Sequence, residues 1–217
     1  YFDQNTAMPA AAAGWRGEQL ALLAQQLHER QTSPAYQDLL AAAEASLPAE
    51  APQEQRCNLR LLKRELERQC RLDPALVGAL AQAQAQGYSC WQEAKQQRNF
   101  PLFAPALEQL IQLRLEQANQ LAPVEAQSDG SPRSPWEILA QPFEPDISKQ
   151  QLAQWLLPLR QLLPPLLEQA RCLPRGSDAP WDLSEQQQEG LCAALLQGWG
   201  YNPERCQRAR SPHPFSC

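Results

Sequence analysis

The chain has 217 residues, 43% of them hydrophobic and 20% charged, with a formal net charge of −5. That balance excludes a disordered polypeptide and argues against a general nucleic-acid binder, and the length suffices for one substantial core or two small ones. The longest apolar runs are broken by Gln, Arg or Pro, so no membrane span is expected.

The start carries no basic flank ahead of an apolar segment, as a signal peptide would. Tyr1 opens inside an apolar, helix-like run without a Met, and Cys217 follows two residues after His213-Pro214-Phe215. Both ends read as cut rather than natural.

A first helix is expected from about Ala10 to Arg30, burying Leu20, Leu23, Ala24 and Leu27 at 3–4 spacing. Ser33-Pro34 supplies a cap with Pro at the first helical position, and a short helix runs from it to about Ser46. After Pro48 and Pro52 a third helix spans about Gln53 to Arg71. Asp73-Pro74 repeats the cap for a long helix to about Arg98. The next, from about Pro101 to Leu121, is apolar over a broad face through Phe103, Leu107, Leu110, Ile111 and Leu115.

Residues 123–134 are polar, contain Asp129-Gly130 and read as a flexible loop. A short helical turn is expected over Trp136 to Ala140. Ser148 with Gln151 forms a capping-box pattern, and the helix it opens has apolar Leu152, Trp155, Leu156, Leu159, Leu162, Leu163, Leu166 and Leu167. Pro158, Pro164 and Pro165 fall inside that pattern. An interior proline costs about 3 kcal/mol in a straight helix, so a kink or break is expected near Pro164. After a loop from Leu173 to Asp182, Ser184 caps a last helix ending at Gly198 or Gly200. No segment alternates β-branched residues at period 2, so the chain reads as all-α. It is treated as one helical region: a first group over 1–122, the loop 123–134, and a second group over 135–217.

The seven cysteines are Cys57, Cys70, Cys90, Cys172, Cys192, Cys206 and Cys217. Their odd number and lack of C-x-x-C spacing indicate reduced thiols and a cytoplasmic protein. Cys57 and Cys70 share one helix, roughly 20 Å apart along it, and cannot pair. The histidines are His28 and His213. A His-Glu-x-x-His zinc site needs two histidines four apart, so these 217 residues hold none, and neither histidine has a nucleophile motif beside it. No catalytic residue and no metal ligand is assigned.

The third helix carries Arg56, Arg60, Lys63, Arg64, Arg68 and Arg71 on one side and Leu59, Leu62, Leu66 and Cys70 on the other. The favoured reading is a solvated face with Glu65 and Glu67 giving local pairs. The stripe could attract a carboxylate if it faced a cleft.

Several stretches together resemble a known family. Phe2-Asp3-Gln4-Asn5-Thr6-Ala7-Met8-Pro9 is similar to its W/Y-D-Q-E/N-T-x-M-P opening, followed by Arg16, Gln19-Leu20 and Leu27-His28-Glu29-Arg30. Asn58-Leu59-Arg60 with Arg64 looks like its N-L-R-x-x-x-R helix. Glu144-Pro145 before a long amphipathic helix fits as well. Gly200-Tyr201 and His213-Pro214-Phe215 look like its G-F/Y stretch and H-P-F motif. In this order and spacing the motifs resemble the N-terminal half of carboxypeptidase Taq-type metallocarboxypeptidases. The chain departs at Cys206 to Arg210, where the family usually shows G-R-L-D.

The resemblance implies an all-α fold with a deep groove between two lobes, covered by N-terminal helices. It implies a homodimer that removes single residues from peptide C-termini, with zinc or cobalt on a His-Glu-x-x-His helix and a further downstream Glu. The metal would polarise the scissile carbonyl and activate water, and the motif Glu would act as general base. All those residues would lie after Cys217. Within the chain, His213, Pro214 and Phe215 are assigned to shaping the cleft and contacting substrate. The expected function is therefore the cleft-covering part of a zinc carboxypeptidase, inactive alone, self-associating, and without nucleic-acid or membrane partners. The competing reading is a non-catalytic helical scaffold or binding module that has lost the catalytic half.

Overall fold

The computed structural model describes residues 2–125, 130–173 and 182–212. These residues form helices and connecting turns, with no strand among them. The helices are α1 (Phe2–Thr6), α2 (Ala13–Gln31), α3 (Pro34–Ala45), α4 (Gln53–Gln69), α5 (Pro74–Gln97), α6 (Ala104–Leu121), α7 (Pro135–Ala140), α8 (Lys149–Cys172) and α9 (Glu185–Gly198). Short 3₁₀ turns at Ala10–Ala12, Phe100–Leu102 and Ala122–Val124 sit beside α2 and α6. The chain divides into two compact units, one centred on Ala7–Leu152 and one that runs from Ala153 onward and includes most of α1.

The expected caps form. Ser33 Oγ accepts the Tyr36 amide at α3, and Asp73 Oδ1 accepts the Ala75 amide at α5, each followed by proline at the first helical position. Ser148 and Gln151 close the capping box of α8, and Ser184 with Gln187 does the same for α9. A further box, Ser134 with Glu137, opens α7. Each satisfies amides that a helix start leaves without partners.

In the first unit α5 is the central helix. Leu72, Leu76, Leu80, Ala118, Leu121 and Ile138 form the buried core, with Val77, Leu113, Val124 and Leu139 packed around it. Ala118 and Leu121 are fully buried. On its other side α5 meets α2 through small residues. A Cβ at Gly78 would lie 2.5 Å from Gln25 Nε2, so the helices approach where a side chain is missing.

This close packing explains a departure from the expected α2 face. Gly17 and His28 are buried, whereas Leu23 and Leu27 are 59% and 57% exposed. Gly17 lies against Gln82 and Ala85 of α5 and His28 beside Gln69 of α4, an orientation that turns those leucines outward. In α6, likewise, Ile111 and Leu115 are exposed while Ala118 and Leu121 take the core.

The largest departure concerns α4. Part of its expected wet side points inward: Arg68 is 8% exposed and Arg64 half-buried, while Arg56, Arg60 and Arg71 stay exposed as expected and Leu61 and Leu62 are exposed as well. The reason is a buried counter-charge described below.

The long α8 begins in the last residues of the first unit and runs as one helix from Lys149 to Cys172 through Pro158, Pro164 and Pro165, and the expected break near Pro164 is absent. Proline's fixed φ suits a helix, and the lost bonds free the carbonyls of Gln154, Arg160 and Gln161. On an exposed helix those carbonyls reach solvent, which lowers the cost. None of its residues is buried, and Trp155 through Leu167 remain exposed at their apolar positions. After α9, Gly200 takes φ 82° and Tyr201 Oη donates to the Cys206 carbonyl at 2.7 Å. Arg210 then pairs with Glu185 and Glu189 at 2.6 and 2.7 Å, holding the following segment against α9. No helix of the described residues is long and apolar enough to cross a membrane.

Candidate functional site

Polar groups in the first unit converge where α4 meets α7 and the loop after α6. Glu125 follows the 3₁₀ turn at Ala122–Val124, and its side chain is 2% exposed. It pairs with Arg68 through one oxygen and with Arg64 through the other at 3.2 Å. A carboxylate so desolvated requires cationic partners, and two residues one helical turn apart supply them. Burial pulls the Arg68 guanidinium below its ordinary pKa, opposed by Glu65, while nearby Arg64 adds to the lowering.

Arg64 extends the network. It donates to Gln141 Oε1 at 2.7 Å and to Asp146 at 3.4 Å. Gln141, 2% exposed, donates to the Glu137 and Ile147 carbonyls, and its Oε1 also accepts the Asp146 amide at 2.9 Å. That last bond holds Asp146 at φ 65°, a left-handed conformation Asp tolerates better than most residues.

Glu137 is the second buried carboxylate. It accepts the Ser134 amide and hydroxyl at 2.9 and 2.7 Å and the Lys149 amide at 2.8 Å. The Lys149 amide first, then the Ser134 hydroxyl and amide, hold its pKa well below the carboxylate range, at about 2. It therefore stays charged at neutral pH at the first turns of both α7 and α8.

On the outer side of α4 lies a groove of about 470 Å³ between α3 and α4, lined by Glu44, Leu47, Arg56, Leu59, Arg60, Lys63, Arg64 and Glu67. A smaller pocket of about 310 Å³ is formed by Leu61, Leu62, Arg64, Glu65, Arg68, Gln141, Pro142 and Pro145.

The sequence motifs are distributed over these features. Asp3 of the opening motif pairs with Arg16 of α2 at 2.5 Å. Of the N-L-R-x-x-x-R helix, Leu59 and Arg60 line the groove and Arg64 joins the buried network. Pro145 lines the smaller pocket. His213, Pro214 and Phe215 lie outside the described residues. Glu125, Gln141 and Asp146 carry no local signal, because their partners are distant in sequence. Ser134 and Glu137 did carry one, in their capping-box spacing.

An all-helical protein that stitches its helices together with buried charge is the class these features define. The sequence profile of the carboxypeptidase Taq (M32) metallopeptidase family matches residues 1–217, and the chain belongs to that family. Thermostable carboxypeptidase 1 of Thermus thermophilus is 28% identical over 99% of this chain and 43% of its own length. Carboxypeptidase 1 of Bacillus subtilis is 23% identical over 100% of this chain and 42% of its own. The chain thus spans less than half the length of these curated relatives.

Among solved structures, metallocarboxypeptidase 1 of Trypanosoma cruzi superposes with a TM-score of 0.71 at 27% identity, over 99% of this chain and 42% of that one. A crystal structure of BsuCP gives 0.86 at 24% identity over the same shares and supports the fold.

The family's metal finds no fitting ligand set among the described residues. No three His, Cys, Asp or Glu side chains converge there. His28 is buried with Nδ1 3.0 Å from Gln69 Oε1, and Glu125 and Glu137 are filled by protein donors.

Proposed function

We propose that this chain is the N-terminal, cleft-covering part of a zinc-dependent metallocarboxypeptidase that removes single residues from peptide C-termini. The observation carrying this reading is the family match over residues 1–217 in a chain that spans 43% and 42% of two relatives named as carboxypeptidases. With His28 and His213 as the histidines of the sequence, the His-Glu-x-x-His site must come from polypeptide outside these 217 residues.

In this reading residues 1–217 act as one helical region of the larger protein. The Arg64–Glu125–Gln141 network holds α4 as a wall, and His213, Pro214 and Phe215 shape the cleft and touch the peptide. Zinc or cobalt belongs to the complementary part. The exposed apolar positions of α8 suit burial by self-association, with a homodimer as the expected assembly. The six described cysteines are free, which suits a cytoplasmic setting.

The test uses purified chain supplied with zinc or cobalt and a benzyloxycarbonyl-dipeptide, with released amino acid followed by chromatography. No release is expected from the chain alone, and release is expected once it is joined to a family polypeptide carrying His-Glu-x-x-His. Release by the chain alone, with contaminating peptidase excluded, would overturn this division of labour. No release from the joined protein would overturn the activity.

A further inference from the structure

The α3–α4 groove has an unusual charge arrangement. Arg56, Arg60 and Arg64 lie four residues apart in one column on α4, with Lys63 beside them, so like charges repel along the helix. Three of these four cations are already engaged. Arg56 donates to the Ala49 and Ala51 carbonyls. Lys63 reaches both oxygens of Glu44 at 2.7 Å. Arg64 is held by Glu125, Gln141 and Asp146.

Arg60, in the middle of the column, has no hydrogen-bond or ion-pair partner among the described residues. Of the groove's two carboxylates, Glu44 is taken by Lys63. Glu67 lies two helical turns beyond Arg60, about 10 Å along the axis. Leu47 and Leu59 supply apolar wall in the same groove. A planar fork with five donors beside apolar surface, flanked by immobilised cations, matches a carboxylate on an organic body better than an inorganic ion.

We propose that the groove between α3 and α4 is a carboxylate subsite for peptides, with Arg60 as the donor that binds the carboxylate and Leu47 and Leu59 packing against the adjoining residue. The peptide part of this inference rests on the proposed function above; the carboxylate part rests on the groove alone. The carboxylate can come from the peptide's C-terminus or from an acidic side chain, and the experiment separates the two.

Binding is measured by calorimetric titration of the protein at low ionic strength with four probes. These are an acetylated alanine tetrapeptide with a free C-terminus, its C-terminal amide, the same amide carrying one Glu, and glutarate. The variants are Arg60→Gln and, as a control on another helix, Arg160→Gln. The carboxylate-bearing probes are expected to bind more tightly than the neutral amide. Losing a charge-assisted pair at Arg60 should weaken them about tenfold or more, whereas Arg160→Gln should leave binding unchanged. A stronger response to the free C-terminus or to the Glu peptide identifies the source of the carboxylate.

Equal binding of the neutral amide, or equal binding by Arg60→Gln, would overturn the subsite while leaving the peptide reading intact. Arg60-dependent binding of glutarate without binding of any peptide would uphold the carboxylate site and overturn its peptide role. No binding of any carboxylate probe would overturn the subsite altogether.

Discussion

The side chain of Glu137 accepts the backbone amide of Lys149 at 2.8 Å, twelve residues away, while also accepting the amide and hydroxyl of Ser134. One carboxylate thereby serves the N-termini of two helices, where unpaired amides and the helix dipole favour negative charge.

Because the folded pKa of Glu137 is depressed to about 2 from an ordinary 4.5, its contribution to stability is fully present above pH 4.5 and is lost as pH falls toward 2. Glu137→Gln is expected to destabilise the protein by about 1–3 kcal/mol at neutral pH. Urea unfolding of both proteins at several pH values should show the gap shrinking through that acidic window. A gap independent of pH would contradict the assignment.

Removing Glu125 strands Arg68 in the interior. Glu125→Ala is expected to cost about 3–5 kcal/mol, the range for breaking a buried pair from one side. The double replacement Glu125→Leu with Arg68→Met should recover most of that loss, because it removes both desolvated charges. Chemical denaturation of the single and double variants checks this, and a double variant no better than Glu125→Ala would refute it.

Leu121 is fully buried in the core shared by α5, α6 and α7. Leu121→Ala should cost about 2–5 kcal/mol through lost burial and a residual cavity. By contrast, Leu23→Ala on the exposed face of α2 should change stability by less than about 1 kcal/mol. Thermal unfolding of the two variants side by side tests whether α2 is oriented as described.

Pro164 sits within an unbroken helix. Replacing it with Ala restores a backbone donor and removes a ring clash, so Pro164→Ala should stabilise α8 by about 1–3 kcal/mol. Slower amide exchange over residues 160–168 is the expected readout. Unchanged or faster exchange would mean that the proline ends a helical segment after all.

Local chemistry alone determined where most helices begin. Ser33-Pro34, Asp73-Pro74, Ser148 with Gln151 and Ser184 act through atoms within four residues, and each caps the helix it announces. The family resemblance was legible for a related reason, since its motifs are short runs in a set order. Helix faces were less legible. Leu23 and Leu27 look like core at 3–4 spacing, yet Gly17 packs on α5 and His28 is buried beside Gln69 of α4 instead.

The candidate site depended most on tertiary structure. Arg64 and Arg68 read as wet because their nearest carboxylates along the helix are Glu65 and Glu67, whereas the partner that buries them, Glu125, stands 61 and 57 residues away. Capping is short-range and written in neighbouring residues. Charge burial is decided by which distant group the folded chain brings within hydrogen-bond reach, because only a paired ion can leave water at tolerable cost.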